Sequence, residues 1–326
     1  MNENATGIII SACIITYNHE KYIRQCLEGA VNQQVDFPYE IVVGVDKSDD
    51  NTNLICKEFQ EKYPHIIRLK VHEERLGMKG NSMNTVGRCQ GKYIAICEGD
   101  DCWTNELKLQ RQVSFLENNP DCSMCYHPTT VKYADNSKPD KITGPEGRMN
   151  EITYKFSMDE VICGRLGIWT AAMVFRRVVL NDIPKWGNKI TFGDVALKLL
   201  CASKGKIGYL GPDPMSIYNR NVENAWSFQE GKSIEWEENR MKNHLEVLDY
   251  FDEFTNFNHS VSIANQKKKM TLQYILNMMK FHSGRENKKL LFNHKKQLFD
   301  FKNKLTILIW FRFLIGKKLY NKFVQG

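Results

Sequence analysis

Several features that define common protein classes are missing from this chain of 326 residues. No apolar run is long enough to span a bilayer, and neither a basic leader nor a small-residue cleavage site accompanies the first apolar segment, so we expect no membrane span and no signal peptide. The turn after the first predicted strand, TYNHEK, lacks a glycine-rich phosphate loop, which argues against a dinucleotide dehydrogenase. No nucleic-acid-binding module is recognisable, so we expect no nucleic-acid partner.

Cysteine is present ten times but without the regular spacing of a disulfide framework. Many of these residues lie inside apolar segments, which predicts buried thiols in a reducing compartment and therefore a cytoplasmic protein. Cys122 and Cys125 form a CxxC pair with His127 nearby. Because no second pair follows at zinc-finger spacing, the segment CSMCYH is more typical of a short buried strand than of a zinc site.

Positive charge is concentrated at the C-terminal end of the chain. Residues 261–326 contain 15 Lys and Arg against two acids, whereas the rest contains 30 basic and 36 acidic residues. Within this basic region, residues 302–322 hold a short apolar run flanked by lysines. Such a segment is expected either to lie in the interface of a membrane, at its inner face, or to pack as a helix on the rest of the chain or on a second subunit.

The remaining sequence alternates between apolar runs and helical periodicity. This alternation predicts an α/β fold, with a mostly parallel twisted sheet and helices on both faces. Residues 1–234 are predicted to form this domain, and residues 235–326 a helical, basic extension. Within the first domain, residues 128–150 are expected to form a loop, residues 167–177 a strand, and residues 206–221 a strand that ends in turns.

A cluster of acidic residues follows the fourth predicted strand, in the stretch YIAICEGDDCW. Glu98, Asp100 and Asp101 occur within four positions, separated only by Gly99. Carboxylates this close repel one another, and a divalent cation relieves that repulsion. Their hard oxygen atoms suit Mg²⁺ or Mn²⁺, which Glu98 and Asp100 can bracket. The alternative is an acidic N-terminus of the following helix, where the helix dipole favours aspartate.

Polar residues also follow the first two strands. Thr16 and Tyr17 follow the first, where the tyrosine ring offers a face for a base, and Asp46 follows the second, where its carboxylate can accept from a ribose hydroxyl or a base imino group. Each also has a plain interpretation, as a surface residue or as part of a capping turn. Because the carboxyl ends of parallel strands meet at one edge of a sheet, their joint position favours a nucleotide site. Three tryptophans either border a sugar pocket or pack in the core: Trp103, Trp169 and Trp226.

These segments together resemble the family 2 glycosyltransferases of the GT-A fold, of the bacterial polysaccharide type. The resemblance rests on CIITYNHEKYIRQCLEGAVNQ, EIVVGVDKSDDNT, RLGMKGN, GKYIAICEGDDCW and TFGDVALKLLCASKGKIGYL in this order, and it covers roughly residues 7–226. It implies a GT-A fold and an inverting transfer of a hexosyl or N-acetylhexosaminyl group from a nucleotide diphosphate to a hydroxyl group. The acceptor implied is a glycan or a lipid-linked glycan.

The resemblance also implies a set of residues that bind the nucleotide sugar. In the family, a tyrosine and the acid after the second strand bind the nucleotide, which matches Tyr17, beside Thr16, and Asp46. Arg75 and Lys79, in RLGMKGN, are placed to assist the departing diphosphate. A UDP-sugar is the expected donor, because an aspartate such as Asp46 suits the uracil imino group.

Metal ligands and a catalytic base are implied in the same way. The family's DxD metal motif falls on Glu98, Gly99 and Asp100, so that Asp100 serves both the metal and the nucleotide sugar, and its catalytic base falls on Asp194. An acceptor hydroxyl is a poor nucleophile at neutral pH, so Asp194 is expected to take its proton during the attack. Where relatives often have a histidine metal ligand, this chain has Asn221, whose amide oxygen is expected to take that place.

Two alternatives stay open at this point. Glu98 in place of an aspartate and Asn221 in place of a histidine would also suit a degenerate, non-catalytic protein that binds a nucleotide or a glycan. A sugar-phosphate nucleotidyltransferase shares the predicted sheet, but it would need a glycine- and arginine-rich loop after the first strand, and TYNHEK is neither.

Overall fold

A computed structural model of the chain describes most of its residues. The described residues are 7–164, 166–181, 183–184, 193–223, 228, 233–279, 281, 284–293, 306 and 309–310. The chain divides into two compact units, Met1–Phe228 and Gln229–Gly326. The division into functional domains at residues 234 and 235 stays a prediction.

The first unit combines strands and helices in alternation. In chain order its elements are β1 (Ile10–Thr16), α1 (Ile23–Val31), β2 (Tyr39–Val45), α2 (Thr52–Lys62), β3 (Ile67–Val71), α3 (Gly77–Gly87), β4 (Tyr93–Glu98), β5 (Cys102–Trp103), α4 (Lys108–Asn118), β6 (Cys122–Tyr126), β7 (Thr129–Tyr133), β8 (Lys141–Thr143), β9 (Thr153–Phe156), α5 (Met158–Ile162), β10 (Val174–Arg176), α6 (Asp194–Lys204), β11 (Lys206–Leu210) and β12 (Ser216–Arg220). Short 3-10 helices lie at Thr170–Ala172 and Arg177–Leu180.

The main sheet has the strand order β3-β2-β1-β4-β10-β6-β11-β9. Strands β3, β2, β1 and β4 are parallel, β10 runs antiparallel to β4, and β11 is parallel to β6. The predicted α/β fold with a mostly parallel sheet is therefore confirmed. A second sheet, in the order β5-β12-β7-β8, was not predicted.

Packing of helices on the parallel strands forms the core of this unit. On α1, the buried residues Ile23, Cys26, Leu27 and Ala30 recur at the spacing of one helix face. They pack in one cluster with buried residues of the parallel strands, such as Ile14. All ten cysteines are free thiols, and every one except Cys163 is buried, as the lack of a disulfide pattern predicted.

The prediction of a strand at residues 167–177 is wrong over most of its length. Only Val174–Arg176 is a strand, and Thr170–Ala172 forms a 3-10 turn. Side chains from other elements donate hydrogen bonds to the backbone carbonyl groups here. The indole of Trp103 donates to Ala171 O (2.9 Å), and Gln112 donates to Ala172 O (2.9 Å). These carbonyl groups are therefore bonded to side chains and not to a neighbouring strand.

Two further segments differ from their predicted structure. Residues 128–150 were expected to form a loop, but β7 and β8 form an antiparallel pair within them. Residues 206–221 were expected to form a strand that ends in turns, and β11 is that strand, but the turns lead into a second strand, β12, which lies in the other sheet. Pro212 and Pro214 lie between β11 and β12, and since proline has no backbone N–H, they interrupt the strand at that point.

The second unit is helical, as predicted. Its helices are α7 (Ile234–Phe254), α8 (Ser260–Met278) and α9 (Gly284–Asn293), and α8 and α9 both contribute to a small apolar cluster that includes Leu272, Ile275 and Ile309. Within the part of the chain that the structure describes, no helix combines the length and the apolar composition that a membrane crossing requires. The segment 302–322, apart from residues 306, 309 and 310, and Trp226 lie outside the described residues.

Candidate functional site

The acidic residues lie at the end of β4, at the carboxyl edge of the parallel strands. Residues 98–101 form an acidic turn, in which Glu98 is the last residue of β4. The turn passes very close to the end of β1, since a Cβ atom added to Gly99 would lie 2.4 Å from Thr16 Oγ1 and 2.5 Å from Thr16 Cβ. Only glycine fits there without displacing Thr16. Gly99 N also donates to Ile15 O (2.8 Å), which fixes the turn against β1.

The three acids of this turn all have raised pKa values. Burial raises the pKa of Glu98 to about 8, and the neighbouring charges of Asp100 and Asp194 add to the shift. Burial also raises the pKa of Asp100, which His19 partly offsets. The pKa of Asp101 lies well above its usual range because of burial and then because of the charges of Asp100 and Glu98. Without a cation, the cluster therefore retains protons that isolated carboxylates would lose.

Two distant segments hold this acidic turn in place. From β12, Asn219 N donates to Asp101 Oδ1 (2.9 Å), and the Asn219 amide donates to Asp100 O (2.6 Å). A hydrogen bond from Thr170, in the 3-10 turn before β10, lowers the pKa of Glu98 and opposes part of the burial effect. Since β10 runs antiparallel to β4, the residues that precede it lie at the same edge of the sheet as the acids.

His19 lies between the acidic turn and the end of β1. Its Nδ1 is 3.2 Å from Thr16 Oγ1, and its Nε2 is 3.9 Å from Asp100 Oδ2. Burial lowers the pKa of His19, and the charges of Asp100 and Asp50 oppose this shift in part. Sequence analysis missed His19, although its position two residues after Tyr17 was an available signal.

An exposed aromatic and cationic pair lies on the other side of β1. The guanidinium carbon of Arg75 lies 3.7 Å from the ring centroid of Tyr17, and Arg75 also donates to the Tyr17 hydroxyl. An arginine stacked on an aromatic ring keeps both groups extended and leaves their outer faces available to a planar ligand. Lys79 lies nearby in sequence, half-buried in the first turn of α3.

Asp46 connects this pair to the sheet. Its carboxylate is 2% exposed and accepts from Leu76 N and Gly77 N, each at 2.8 Å, and from Lys47 N at 3.0 Å. These bonds hold the segment that carries Arg75 at the start of α3. Asp46 N donates to Thr16 O (2.9 Å), so that the ends of β1 and β2 are joined as well. Contact of Asp46 with a nucleotide stays a prediction.

Asp194 is the first residue of α6 and lies on the other side of the acidic turn. Lys198 Nζ lies 2.7 Å from Asp194 Oδ2, one helical turn further on. The charge of Asp194 contributes to the raised pKa of Glu98, which places the two carboxylates in one electrostatic environment. An aspartate carboxylate is one of the side-chain groups that can act as a general base.

The acidic turn suits a divalent cation that is also held by a substrate. Glu98 and Asp100 offer carboxylate oxygens, the ligands that Mg²⁺ and Mn²⁺ prefer. Asp101 Oδ2 is buried without a hydrogen-bond partner among the described residues, and a buried, unsatisfied carboxylate oxygen is costly unless a cation is close. Across the described ranges, no three His, Cys, Asp or Glu side chains converge closely enough to form a complete metal cage. Magnesium commonly needs only one or two protein carboxylates, because water and substrate phosphates complete its shell.

Comparison with known proteins decides the family of the chain. The model of the glycosyl transferase family 2 matches residues 11–183, more than half of the chain. The chain belongs to glycosyl transferase family 2. The residues matched include β1 to β10 and the acidic turn, so the sequence resemblance is confirmed over the part that carries Tyr17, Asp46, Glu98 and Asp100.

Individual relatives and solved structures agree with this assignment. An uncharacterized protein of Mycobacterium tuberculosis is 34% identical over 67% of this chain, which spans 60% of the length of that relative. A putative teichuronic acid biosynthesis glycosyltransferase of Bacillus subtilis, TuaG, is 26% identical over 69% of this chain and 84% of its own length.

Two solved structures show the same fold as this chain. Staphylococcus aureus TarS 1–349, in complex with UDP-GlcNAc, has a TM-score of 0.60 at 17% identity and covers 95% of this chain and 93% of its own. The mannosyltransferase PcManGT of Pyrobaculum calidifontis, in complex with GDP-Man and Mn²⁺, has a TM-score of 0.54 at 14% identity over 96% of this chain and 89% of its own. The GT-A fold is therefore confirmed.

The structure joins several predicted residues through direct contacts. Thr16, Tyr17, Asp46 and Arg75 are linked by the contacts described above. The amide of Asn221 donates to Asp135 Oδ2 (2.9 Å), and its role as a metal ligand stays a prediction. Sequence analysis missed Thr170 and Asn219, for which no local pattern exists, because each is brought to the acids by a distant strand.

The raised pKa values of the acids predict a pH-dependent stability of the metal-free protein. The native state keeps the Glu98 proton up to about pH 8, whereas the unfolded chain loses it near the ordinary value of 4.5. The native state thus binds more protons between these values, so its stability falls as the pH rises through this window. In chelator, we expect the unfolding temperature to decrease by several degrees from pH 6 to pH 8.5, as measured by calorimetry.

Two variants test whether Glu98 causes this decrease in unfolding temperature. Glu98→Gln is expected to flatten this decrease, because the group that gains a charge is gone. Glu117→Gln is the matched control, since the pKa of Glu117 is lowered, despite burial, by its hydrogen bonds with Lys92 and Tyr93. An equal slope in wild-type protein and Glu98→Gln would contradict the assignment.

Proposed function

We propose that the chain transfers a hexosyl or N-acetylhexosaminyl group from a nucleotide diphosphate, with UDP as the nucleotide, to a hydroxyl group of a glycan or a lipid-linked glycan. The observation that carries this proposal is the position of the buried acidic turn after β4. The Tyr17–Arg75 pair lies on one side of it, beyond β1, and Asp194 lies near it at the start of α6. A nucleotide, a diphosphate and an acceptor thus have separate places along one edge of the sheet.

The nucleotide is assigned to the ends of β1 and β2. The base stacks on the outer face of the Tyr17–Arg75 pair, and Asp46 maintains the loop that carries Arg75. Lys79 and Arg75 contribute positive charge for the diphosphate. The neighbour TarS was solved with UDP-GlcNAc and the neighbour PcManGT with GDP-Man, so the preference for UDP is assigned to Asp46, whose carboxylate suits the uracil imino group.

The leaving group is assigned to the acidic turn. Glu98 and Asp100 would hold Mg²⁺ or Mn²⁺, with Asn221 as a further ligand from the end of β12. When bound, the cation supplies Lewis-acid stabilisation of the negative charge that grows on the departing diphosphate. Raised pKa values in the metal-free state agree with this assignment, because the cation replaces protons that the acids otherwise retain.

The transfer step itself is assigned to Asp194. Its carboxylate takes the proton of the acceptor hydroxyl as that oxygen forms a bond with the anomeric carbon, while the bond from this carbon to the diphosphate oxygen breaks. A single attack on the face opposite the leaving group inverts the anomeric configuration. Lys198 Nζ, 2.7 Å from Asp194 Oδ2, holds this carboxylate at the start of α6.

Nucleotide preference gives a direct test. We expect UDP to bind more tightly than GDP in a calorimetric titration with Mn²⁺, and Tyr17→Ala to weaken UDP about tenfold or more, since a base stacked on an aromatic ring gains about 1–3 kcal/mol. Tyr63→Ala is the control, because Tyr63 is a half-buried tyrosine at the end of α2, where it packs against Phe59. Equal affinity for UDP and GDP would remove the UDP assignment.

The non-catalytic alternative is tested by turnover. A transferase releases UDP from a UDP-sugar when an acceptor and Mn²⁺ are present, whereas a binding protein retains the donor intact. Mass detection of the product across a panel of nucleotide sugars separates the two and also identifies the sugar.

A further inference from the structure

A stacked aromatic pair lies beside the acidic turn, and the roles assigned above do not use it. The rings of Trp169 and Tyr218 are 4.2 Å apart between centroids and inclined by 18°. Both side chains are half-buried, so part of their apolar surface is open to solvent. The Trp169 indole donates to Thr143 Oγ1 (2.5 Å), which fixes the edge of the ring that carries its polar atom.

The pair is connected to the acids from two sides. Trp169 directly precedes Thr170, whose hydrogen bond with Glu98 lowers the pKa of that acid. Tyr218 directly precedes Asn219, which donates to Asp101 Oδ1 and Asp100 O. The two rings therefore come from different elements that meet at the acidic turn, and their distance from the acids is set by these contacts.

The strand order places the pair on the side away from the nucleotide. In the main sheet, β4 lies between β1, which carries the Tyr17 side, and β10, which follows the Trp169 segment. A sugar held at the acidic turn is consequently approached from the nucleotide on one side and from the Trp169–Tyr218 pair on the other. An acceptor hydroxyl must attack from the side opposite the departing diphosphate, which is the side of this pair.

Backbone packing and a hydrogen bond hold Trp169 of this pair in place. Gly167 has φ +60°, and a Cβ atom there would lie 2.4 Å from Gly144 O, so the segment that leads to Trp169 lies directly against the end of β8. Thr143, which accepts from Trp169, is the last residue of β8. The ring of Trp169 is thus held by backbone packing and by a hydrogen bond, as a preorganised binding surface requires.

We propose that Trp169 and Tyr218 form an acceptor platform, on which a pyranose ring of the acceptor glycan stacks with its C–H face. Aromatic rings offer a large, rigid apolar surface, and the C–H face of a pyranose is complementary to it. The pair sets which acceptor is used and leaves the donor unaffected. This inference rests on the proposed function, since an acceptor exists only if the chain is a transferase.

The test measures pyranoside binding to the full chain loaded with UDP and Mn²⁺. The probes are methyl β-glucopyranoside, methyl β-N-acetylglucosaminide and methyl α-rhamnopyranoside, each followed by saturation-transfer NMR. We expect wild-type protein to bind at least one of them through one ring face, and Trp169→Ala to weaken that binding about tenfold, the effect of losing one aromatic contact surface. Trp169→Phe keeps a ring and is expected to retain most of the binding.

Controls separate this platform from a structural role. Trp236→Ala removes a half-buried tryptophan of α7 in the second unit and is expected to leave pyranoside binding unchanged. Circular dichroism establishes that each variant is folded, and Tyr218→Ser provides the same test if Trp169→Ala does not fold. The platform is overturned if wild-type protein binds none of the probes, or if the folded variants bind them as tightly as wild-type protein does.

Failure of the platform and failure of the proposed function give different results. If the proposed function is wrong, wild-type protein does not release UDP from a UDP-sugar in the presence of an acceptor and Mn²⁺, and this is measured without any pyranoside. If only the platform is wrong, UDP binding and release persist while pyranoside binding is absent or insensitive to Trp169 and Tyr218.

Discussion

Replacement of Asp194 by asparagine is expected to reduce sugar transfer by about 10²–10⁴-fold, the range that a positioned general base contributes. Asparagine keeps the size of the side chain and loses the group that accepts the proton. UDP affinity is expected to stay unchanged, because the nucleotide is assigned to the ends of β1 and β2. The measurements are the initial rate of product formation and a calorimetric titration with UDP.

A second readout distinguishes loss of a base from damage to the helix. Since the charge of Asp194 raises the pKa of Glu98, Asp194→Asn should lower that pKa, so that the fall in metal-free stability is complete at a lower pH than in wild-type protein. Asp159→Asn is the matched control, because Asp159 lies in the first turn of α5 and its loss removes a similar helix-terminal charge. Retained turnover in Asp194→Asn would place the base elsewhere.

Removal of the divalent cation is expected to have an effect of comparable size. With chelator present, or with Asp100→Asn, turnover should decrease by about 10²–10³-fold, as for the loss of other groups that stabilise developing negative charge. Mn²⁺ binding, followed by calorimetry in the presence of UDP, should weaken in parallel in Asp100→Asn. Turnover that is unchanged in chelator would contradict the role assigned to the acidic turn.

A neighbouring acid provides the control for charge alone. Asp49 is an exposed aspartate between β2 and α2, and its backbone N–H donates to Asn18 Oδ1. Asp49→Asn removes one negative charge from the loops at the same edge of the sheet without touching the acidic turn. We expect this variant to retain both Mn²⁺ binding and turnover, so that a loss in Asp100→Asn reports on coordination and not on net charge.

Local sequence patterns predicted the elements of the parallel half of the sheet and the position of its polar ends. Tyr17, Asp46 and Glu98 each follow an apolar strand, and the carboxyl ends of parallel strands share one edge, so their proximity could be inferred without coordinates. The same reasoning failed at residues 167–177, where Trp103 and Gln112 donate to the carbonyl groups that a strand would use. Hydrogen-bond donors that come from other elements cannot be recognised in the local sequence pattern.

The hydrogen-bond partners of the acids could not be predicted from the sequence for a similar reason. Asn219 and Thr170 reach Asp100 and Glu98 only because β12 pairs with β5, which directly follows the acids, and β10 pairs with β4. Asp46 was predicted to meet a nucleotide, and the structure adds that its carboxylate holds Leu76 N and Gly77 N. Each of these contacts joins residues that are far apart in the chain.

The amino-acid sequence by itself determined the fold class, the family and the edge of the sheet where acidic and aromatic residues gather, because strand periodicity and the order of elements are local properties. Only the tertiary structure decided which carboxylates retain protons, which backbone groups hold them and that Trp169 stacks on Tyr218. Burial and long-range contacts set these properties, and both arise when distant segments pack together.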